Sequence, residues 1–490
     1  MQPTALAAAS YTFPAAQVWL AGIVALTVLV ALLLAGLWTA FQPRRLARPW
    51  LYLLFALAGL FFIAALVAAG AVLFDTIRGV LQPPATGPNP AAATGPSGPN
   101  LGAGALIAAL LGAPFVIWGT VLKYQTVRFQ KEGHITERIS QAVEQLGAEK
   151  TVKRAGQEES LPNIEVRIGG LLSLERISQD SVVYDKGRDH VRVMEVLCAY
   201  IRNNAPASEA KEAPGEDPEE LPEWATAEAA KAHAQAWQAR GDALLHHWAW
   251  ALPKPRADIQ LALDIIGRRG AEPCAYEAGW RNGNVAKADW PFGKVPDYPE
   301  DPPSPAAVTR WQKAFGEWKE TTWVYSGYRL DLRNTNLQGA DLQKANLSGA
   351  RLENARMQGA DLGEAQIQGA SLRWAQMQGT WLFEAQMQGA RLGRAQMQGA
   401  NLWRAQMQGA GLSGAQMQGA GLIEAQLHGA NLSGAQMQGA DLTGAQMRGA
   451  DLSFANLSGA YNLTQTQIDS AEGDAGTRLP PDLTRPGHWR

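Results

Sequence analysis

Apolar positions recur at every fifth residue from 330 to 459: Leu332, Leu337, Leu342, Leu347, Leu352 and Met357 open a series that runs to Leu457. Two places before each stands a small residue, nearly always Ala, as at Ala340, Ala345, Ala350 and Ala355. Neither the helical period of 3.6 nor the strand period of 2.0 accounts for a strict five. A five-residue unit cannot bury its own apolar face, so the pattern predicts a solenoid whose units stack on copies of themselves. Near the N-terminus the apolar positions are continuous, in three runs at 17–41, 50–74 and 101–122. These read as membrane spans. The first two are uncharged and long enough for a hydrocarbon core of ~30 Å at ~1.5 Å per residue. The third is interrupted by Gly112 and Pro114 and reads as a kinked span. The first run has no basic residues ahead of it and is too long for the apolar part of a signal peptide.

Between these regions the spacing is helical. Ile135, Ile139, Val143 and Leu146 mark one amphipathic stretch, and residues 166–177 and 189–197 read as a helical hairpin. Residues 205–222 are acidic and rich in Pro and Ala, a linker by composition. Helices are predicted over 223–251 and 258–269, followed by an irregular stretch, 273–305. The open end of a solenoid exposes core and strand edges, so Trp311, Phe315, Trp318, Trp323 and Tyr325 are assigned to a cap before the first coil. At the other end Tyr461-Asn462-Leu463 breaks the count by one, which predicts a terminus with a cap at 464–471 and a loose tail. The expected domains are 1–124 (spans), 125–205 (helical hairpin), 206–328 (linker, helices, aromatic cap), 329–460 (solenoid) and 461–490 (cap and tail).

The repeat block resembles the pentapeptide-repeat family, whose pattern Ala-(Asp/Asn)-Leu-X-X reads here as Ala340-Asp341-Leu342-Gln343-Lys344 and Ala345-Asn346-Leu347-Ser348-Gly349. The match spans 26 consecutive units, about a quarter of the chain. The resemblance implies a right-handed quadrilateral β-helix with four units per coil and the Ala and central residue turned inward. At ~4.8 Å per coil the column would stand about 31 Å tall. Here the units alternate between Ala-X-Leu-X-X and Ala-Gln-Met-Gln-Gly, as in Ala375-Gln376-Met377-Gln378-Gly379, which places the Gln/Met units on two opposite faces. Eight of the ten Met residues lie in this block, where flexible thioethers read as core filling. The stretch 169–177, Gly-Gly-Leu-Leu-Ser-Leu-Glu-Arg-Ile, resembles a region that precedes the repeats in bacterial membrane-bound members. The expected fold is therefore a mixed membrane protein: three N-terminal transmembrane α-helices, a cytoplasmic helical region and a C-terminal β-helix.

Charge adds orientation. Arg44, Arg45 and Arg48 follow the first run, and Lys123, Arg128 and Lys131 follow the third, whereas residues 1–16 and 82–100 carry no charge. The positive-inside rule then puts the N-terminus outside and the repeats in the cytoplasm, and the resemblance to bacterial membrane-bound members implies the plasma membrane of a bacterium. The formal net charge of −2 gives no footprint for nucleic acid. Cys198 and Cys274 have no metal-ligand spacing and read as ordinary thiols. Phosphate-loop and nucleophile-elbow patterns are absent, and His246-His247 are adjacent rather than four apart. Asp189-His190 reads as a helix-start Asp beside an exposed His. No catalytic residue, cofactor or metal is expected, and the protein is not expected to be an enzyme.

Outward chemistry follows from the numbering, because residues twenty apart stack in a four-sided coil. Arg333, Glu353 and Arg373 form one charged ladder, and Lys344, Glu364, Glu384, Arg404 and Glu424 another. Phe383 and Trp403 share a column, Trp381 neighbours Phe383, and Trp374 lies under Arg394 as a cation–π pair. Trp374, Trp381, Phe383, Arg394 and Trp403 are thus the candidate interaction patch. The expected function is a membrane-anchored, non-enzymatic scaffold that presents the β-helix to a protein partner or to another copy. One alternative is a topoisomerase-protecting DNA mimic, as the resemblance to acidic soluble members implies. Nine Asp/Glu against nine Lys/Arg in 330–459 argue against it. The other is an accessory subunit of a channel or transporter, and spans without charge give no ion pathway.

Overall fold

The computed structural model describes residues 135–489, apart from 155–156, 185, 215–225, 241–244, 281–286 and 300–302, together with Gly70 and Lys123. These residues fall almost wholly in one of two compact units, His134–Arg490. The expectation of a membrane protein is corrected: among the described residues no helix is long and apolar enough to cross a bilayer. The longest helices show why. Ile164–Tyr184 carries Glu165, Arg167, Glu175, Arg176 and Asp180, and Pro305–Trp323 carries Arg310, Lys313, Glu317, Lys319 and Glu320, a charge load that hydrocarbon does not accept. The plasma-membrane localisation, its orientation and the bilayer as a partner fall with it. The three runs at 17–41, 50–74 and 101–122 lie outside the described residues.

The column itself is a four-sided stack in which one residue of each five-residue unit bridges the one twenty places on, in parallel, from Asp331↔Arg351 through Asp441↔Tyr461. Face 1 carries Leu332, Leu352 and Leu372, face 2 Leu337, Met357 and Met377, face 3 Leu342, Leu362 and Leu382, and face 4 Leu347, Ile367 and Met387; all are buried. Each unit closes with a turn in which the Ala amide donates to the carbonyl of the preceding central residue, as from Ala355 to Leu352 at 3.1 Å. The residue before each Ala then sits at positive φ, for example +58° at Trp374 and +62° at Gly379. All eight methionines of the block lie in the core. The glutamines of faces 2 and 4 form amide ladders between coils, with Gln378 donating to Gln396 and Gln388 to Gln406, both at 2.7 Å.

A helical layer closes the lower end. It is built from α1 (135–146), α2 (Ile164–Tyr184), α3 (Arg188–Asn204), α4 (Ala257–Gly267) and α5 (Ala271–Ala278). A β-hairpin, β1 (Glu149–Arg154) and β2 (Gln157–Pro162), joins α1 to α2. Gly170 lets α1 close on α2, since a Cβ there would stand 2.8 Å from the Ala142 carbonyl. Each edge of the first coil finds a partner in this layer. On face 1 Arg202 donates to the Asp331 carbonyl (2.5 Å), and on face 2 the Asn336 amide donates to Ala205 O (2.7 Å). On face 3 the Gln260 side chain donates to Asp341 O (2.6 Å) and accepts from its amide (3.0 Å). On face 4 the Asn346 amide donates to Gly267 O (2.8 Å) and Arg269 donates to Asn346 O (2.7 Å). Four unpaired strand edges are thereby satisfied by five groups of the layer.

The aromatics expected in that cap lie elsewhere. Trp311, Phe315, Trp318 and Trp323 sit on α8 (Pro305–Trp323), which runs down the side of the column over the corner between faces 4 and 1, and Tyr325 follows it, packed on Trp290 and Phe292. Trp311 meets Gly429, Phe315 meets Gly409, Trp318 meets Gly389 and Thr322 meets Gly369. The segment formed by α6 (Ala227–Ala239) and α7 (His246–Trp250) does the same over the diagonally opposite corner. There Ala234 meets Gly439, Trp237 Gly419, Leu245 Gly379 and Ala249 Gly359. A helix turn of ~5.4 Å nearly matches a coil of ~4.8 Å, so one side chain every three or four residues reaches one corner per coil. The Gly of each Ala-Gln-Met-Gln-Gly unit is what permits the approach: a Cβ at Gly389 would stand 2.7 Å from the Trp318 ring.

The far end also differs from expectation. Asp451↔Glu472 and Asn456↔Arg478 continue the stack after the break at Tyr461, across the capping-box helix α9 (Gln465–Ser470). The tail is held by Trp489, buried, whose indole donates to Ala471 O at 2.9 Å.

Candidate interaction faces

The five residues singled out from the numbering fall in two places. Trp381, Phe383 and Trp403 lie half-buried on face 3, whereas Trp374 and Arg394 lie exposed at the corner between faces 1 and 2. On face 3, Phe383 leans across Gly363, where a Cβ would collide with its ring. The Arg404 guanidinium stands 4.4 Å from the Trp403 ring. At the corner, the cation over Trp374 is Arg373, at 5.0 Å, the chain neighbour rather than the residue one coil up. Arg394 lies against the open corner at Gly414.

Trp250 had no place in the sequence reading of this surface. The α7 strap brings it onto face 3, edge-on to Trp381 with ring centroids 5.8 Å apart, and it is 77% exposed. His246 anchors that strap through its Nε2, 2.6 Å from Gly399 O. The pair Trp248/Trp250 was a visible signal, but nothing in a non-repeating helix says which coil it will meet. Beyond face 3, a trough of about 760 Å³ runs along the next corner, where Lys344, Glu364, Glu384, Arg404 and Glu424 flank the Gln386 and Gln406 side chains. Its charges are mutually paired: Lys344 with Glu364 (3.6 Å), and Arg404 with Glu384 (3.7 Å) and Glu424 (2.7 Å).

One buried cluster has the composition of a catalytic triad. Ser178 Oγ is 2.7 Å from His190 Nδ1, and His190 Nε2 is 2.9 Å from Glu277, whose other oxygen pairs with Arg269. His190, expected to be exposed, is 2% exposed, and Glu277 is fully buried. With every member enclosed, no substrate carbonyl can approach Ser178, and the cluster ties α2, α3 and α5 together. Burial pushes the Cys198 thiol up to about 11 and the Cys274 thiol to about 12, so both stay protonated and unreactive at neutral pH. Among the described residues no group of His, Cys, Asp and Glu could hold a metal ion.

A stack of square coils with an apolar axis and outward-facing variable positions defines a β-solenoid. The family model for pentapeptide repeats matches this stack in eight copies, over residues 345–381, 385–422 and 424–461, so the column is a pentapeptide-repeat domain. Among solved structures, the chain is similar to HetL, a pentapeptide repeat protein of the cyanobacterium Nostoc involved in heterocyst differentiation regulation. The two are 29% identical over 32% of this chain and 76% of HetL, with a TM-score of 0.15. A pentapeptide repeat protein of the Arabidopsis thaliana thylakoid lumen is 28% identical over 28% of this chain and 79% of its own, TM-score 0.13. QnrB1, a plasmid-mediated fluoroquinolone resistance protein, is 18% identical over 33% of this chain and 81% of its own, TM-score 0.20. No curated protein matches the chain.

Proposed function

We propose that the protein is a non-enzymatic scaffold whose column holds a protein partner, or a second copy of itself, on face 3. Trp381, Phe383 and Trp403 supply the apolar contact, and Trp250 extends it. Trp374 and Arg394 form a separate contact at the corner between faces 1 and 2. The observation that carries this reading is the division of labour around the column. Two corners are taken by the chain's own helices, while face 3 keeps large aromatic rings partly in water. Rings held by Gly363 and Arg404 are already ordered, so little side-chain freedom is lost when a partner docks. The DNA-mimic alternative requires a dense negative face, and the repeat block carries as many Lys/Arg as Asp/Glu.

Phe383→Ala combined with Trp403→Ala is expected to leave the melting curve nearly intact. Recovery of a crosslinked partner, or of the self-associated form in sedimentation, should fall by about tenfold or more, as for interface aromatics. Unchanged recovery with an unchanged fold would remove face 3 as the docking surface.

A further inference from the structure

Net charge hides an uneven distribution. In the second to fourth coils, face 1 and its corner carry Arg351, Arg373, Arg391 and Arg394, and the adjoining strap adds Lys319. Among the described residues none of these five pairs with a carboxylate, in contrast to Lys344 and Arg404 on the far corner. Glu353 is the acid within the same field, and its Oε2 is buried without a hydrogen-bond partner. The cations feel one another. Burial and the neighbouring Arg373 hold Arg391 below its ordinary value, and burial with Arg391 nearby does the same for Lys319. Two half-exposed indoles rim the field: Trp323 between Lys319 (4.9 Å) and Arg391 (5.2 Å), and Trp374 beside Arg373.

We infer that face 1 is a second docking surface, built for an acidic segment of a partner protein. Unpaired guanidiniums in a fixed array match carboxylates bidentately, and their mutual repulsion is relieved when an anion docks. The spacing suits an extended chain: two coils rise ~9.6 Å, close to three residues of an extended peptide at ~3.3 Å each. A protein anion is favoured over nucleic acid because the unpaired cations cover only three coils: below them Arg333 is paired with Asp331, and above them the face is neutral up to Asp451.

The full chain, titrated with a fluorescein-labelled twelve-residue oligoglutamate at about 50 mM salt, should bind saturably and weaken as screening rises toward about 300 mM. Arg373→Glu with Arg394→Glu should weaken binding at least about tenfold, and the milder Arg373→Gln with Arg394→Gln by an intermediate factor. Lys344→Glu with Arg448→Glu makes the same charge change away from face 1 and should shift binding by less than about twofold. Phe383→Ala with Trp403→Ala should leave it unchanged, which separates this surface from face 3. Absence of saturable binding, or equal losses in the two charge-reversed variants, would overturn the assignment. Tighter binding of a labelled oligothymidylate through the same arginines would overturn it in favour of nucleic acid.

Discussion

Glycine does opposite work at a strapped corner of the column and on an open face. Gly409 has φ +60°, and a Cβ there would collide with the Phe315 ring. Gly421 has nothing within 4 Å of such an atom. Gly409→Ala should therefore cost about 1–3 kcal/mol, through left-handed strain and displacement of Phe315. Gly421→Ala should be neutral or stabilise by up to about 1 kcal/mol, because the unfolded chain loses freedom. Thermal melts of the two variants check the contrast. The period of five located the inward positions, and with them the buried Leu, Met and Ala of the axis. The register puts Gly409 at the turn before an Ala and Gly421 at the variable position after one, but it could not say that Phe315, nearly a hundred residues upstream, covers the first.

Among the elements, the cap layer is the part most sensitive to acid. Burial works to raise the Asp258 carboxyl, but the hydrogen bonds from Arg256 and Tyr200 outweigh it and hold the group below its ordinary value. The hydrogen bonds and charge of Arg333 do the same for Asp331 on the first coil. The unfolded carboxyl titrates near ~3.9. Because both folded values lie lower, their stabilisation is fully present above about pH 4 and drains as pH falls through the folded values. An acid titration followed by circular dichroism should show α3 and α4 lost before the column, and Asp258→Asn should flatten that limb. Helices α1 to α4 of this layer were legible from their apolar spacing, whereas α5 falls in the stretch read as irregular. The role of the layer was not legible: Gln260, Gly267 and Arg269 meet the first coil through single polar atoms, and no periodicity marks them. The aromatics of α8 precede the first coil in sequence, yet the helix runs back along the side, which placed them wrongly at the end.

At the scale of the whole molecule, each coil touches only its two neighbours, so stability accumulates along one axis. Leu392, fully buried on face 1, sits near the middle of that axis. Leu392→Asp would bury an unpaired carboxylate, at a cost of at least about 4 kcal/mol. The straps span several coils, so the loss should spread: hydrogen exchange should accelerate in α8 as well as in the flanking coils. A normal melting curve for this variant would contradict the column. The charge balance belongs to this scale too. Nine acids and nine bases in the repeats read as neutrality in the linear sequence, whereas folding gathers bases on face 1 and leaves the far corner mutually paired.

From its sequence alone the protein specifies the axis of the column, the inward set of residues, the two unit types and the place where the count breaks. All of these arise from contacts between identical neighbours twenty residues apart, and such contacts leave a period. Only the tertiary structure decided which corners are covered, which atoms close the first coil and which charges share a face. Those depend on one-off meetings between distant segments, selected by the near-match of helix pitch to coil rise and by the space a missing Cβ leaves.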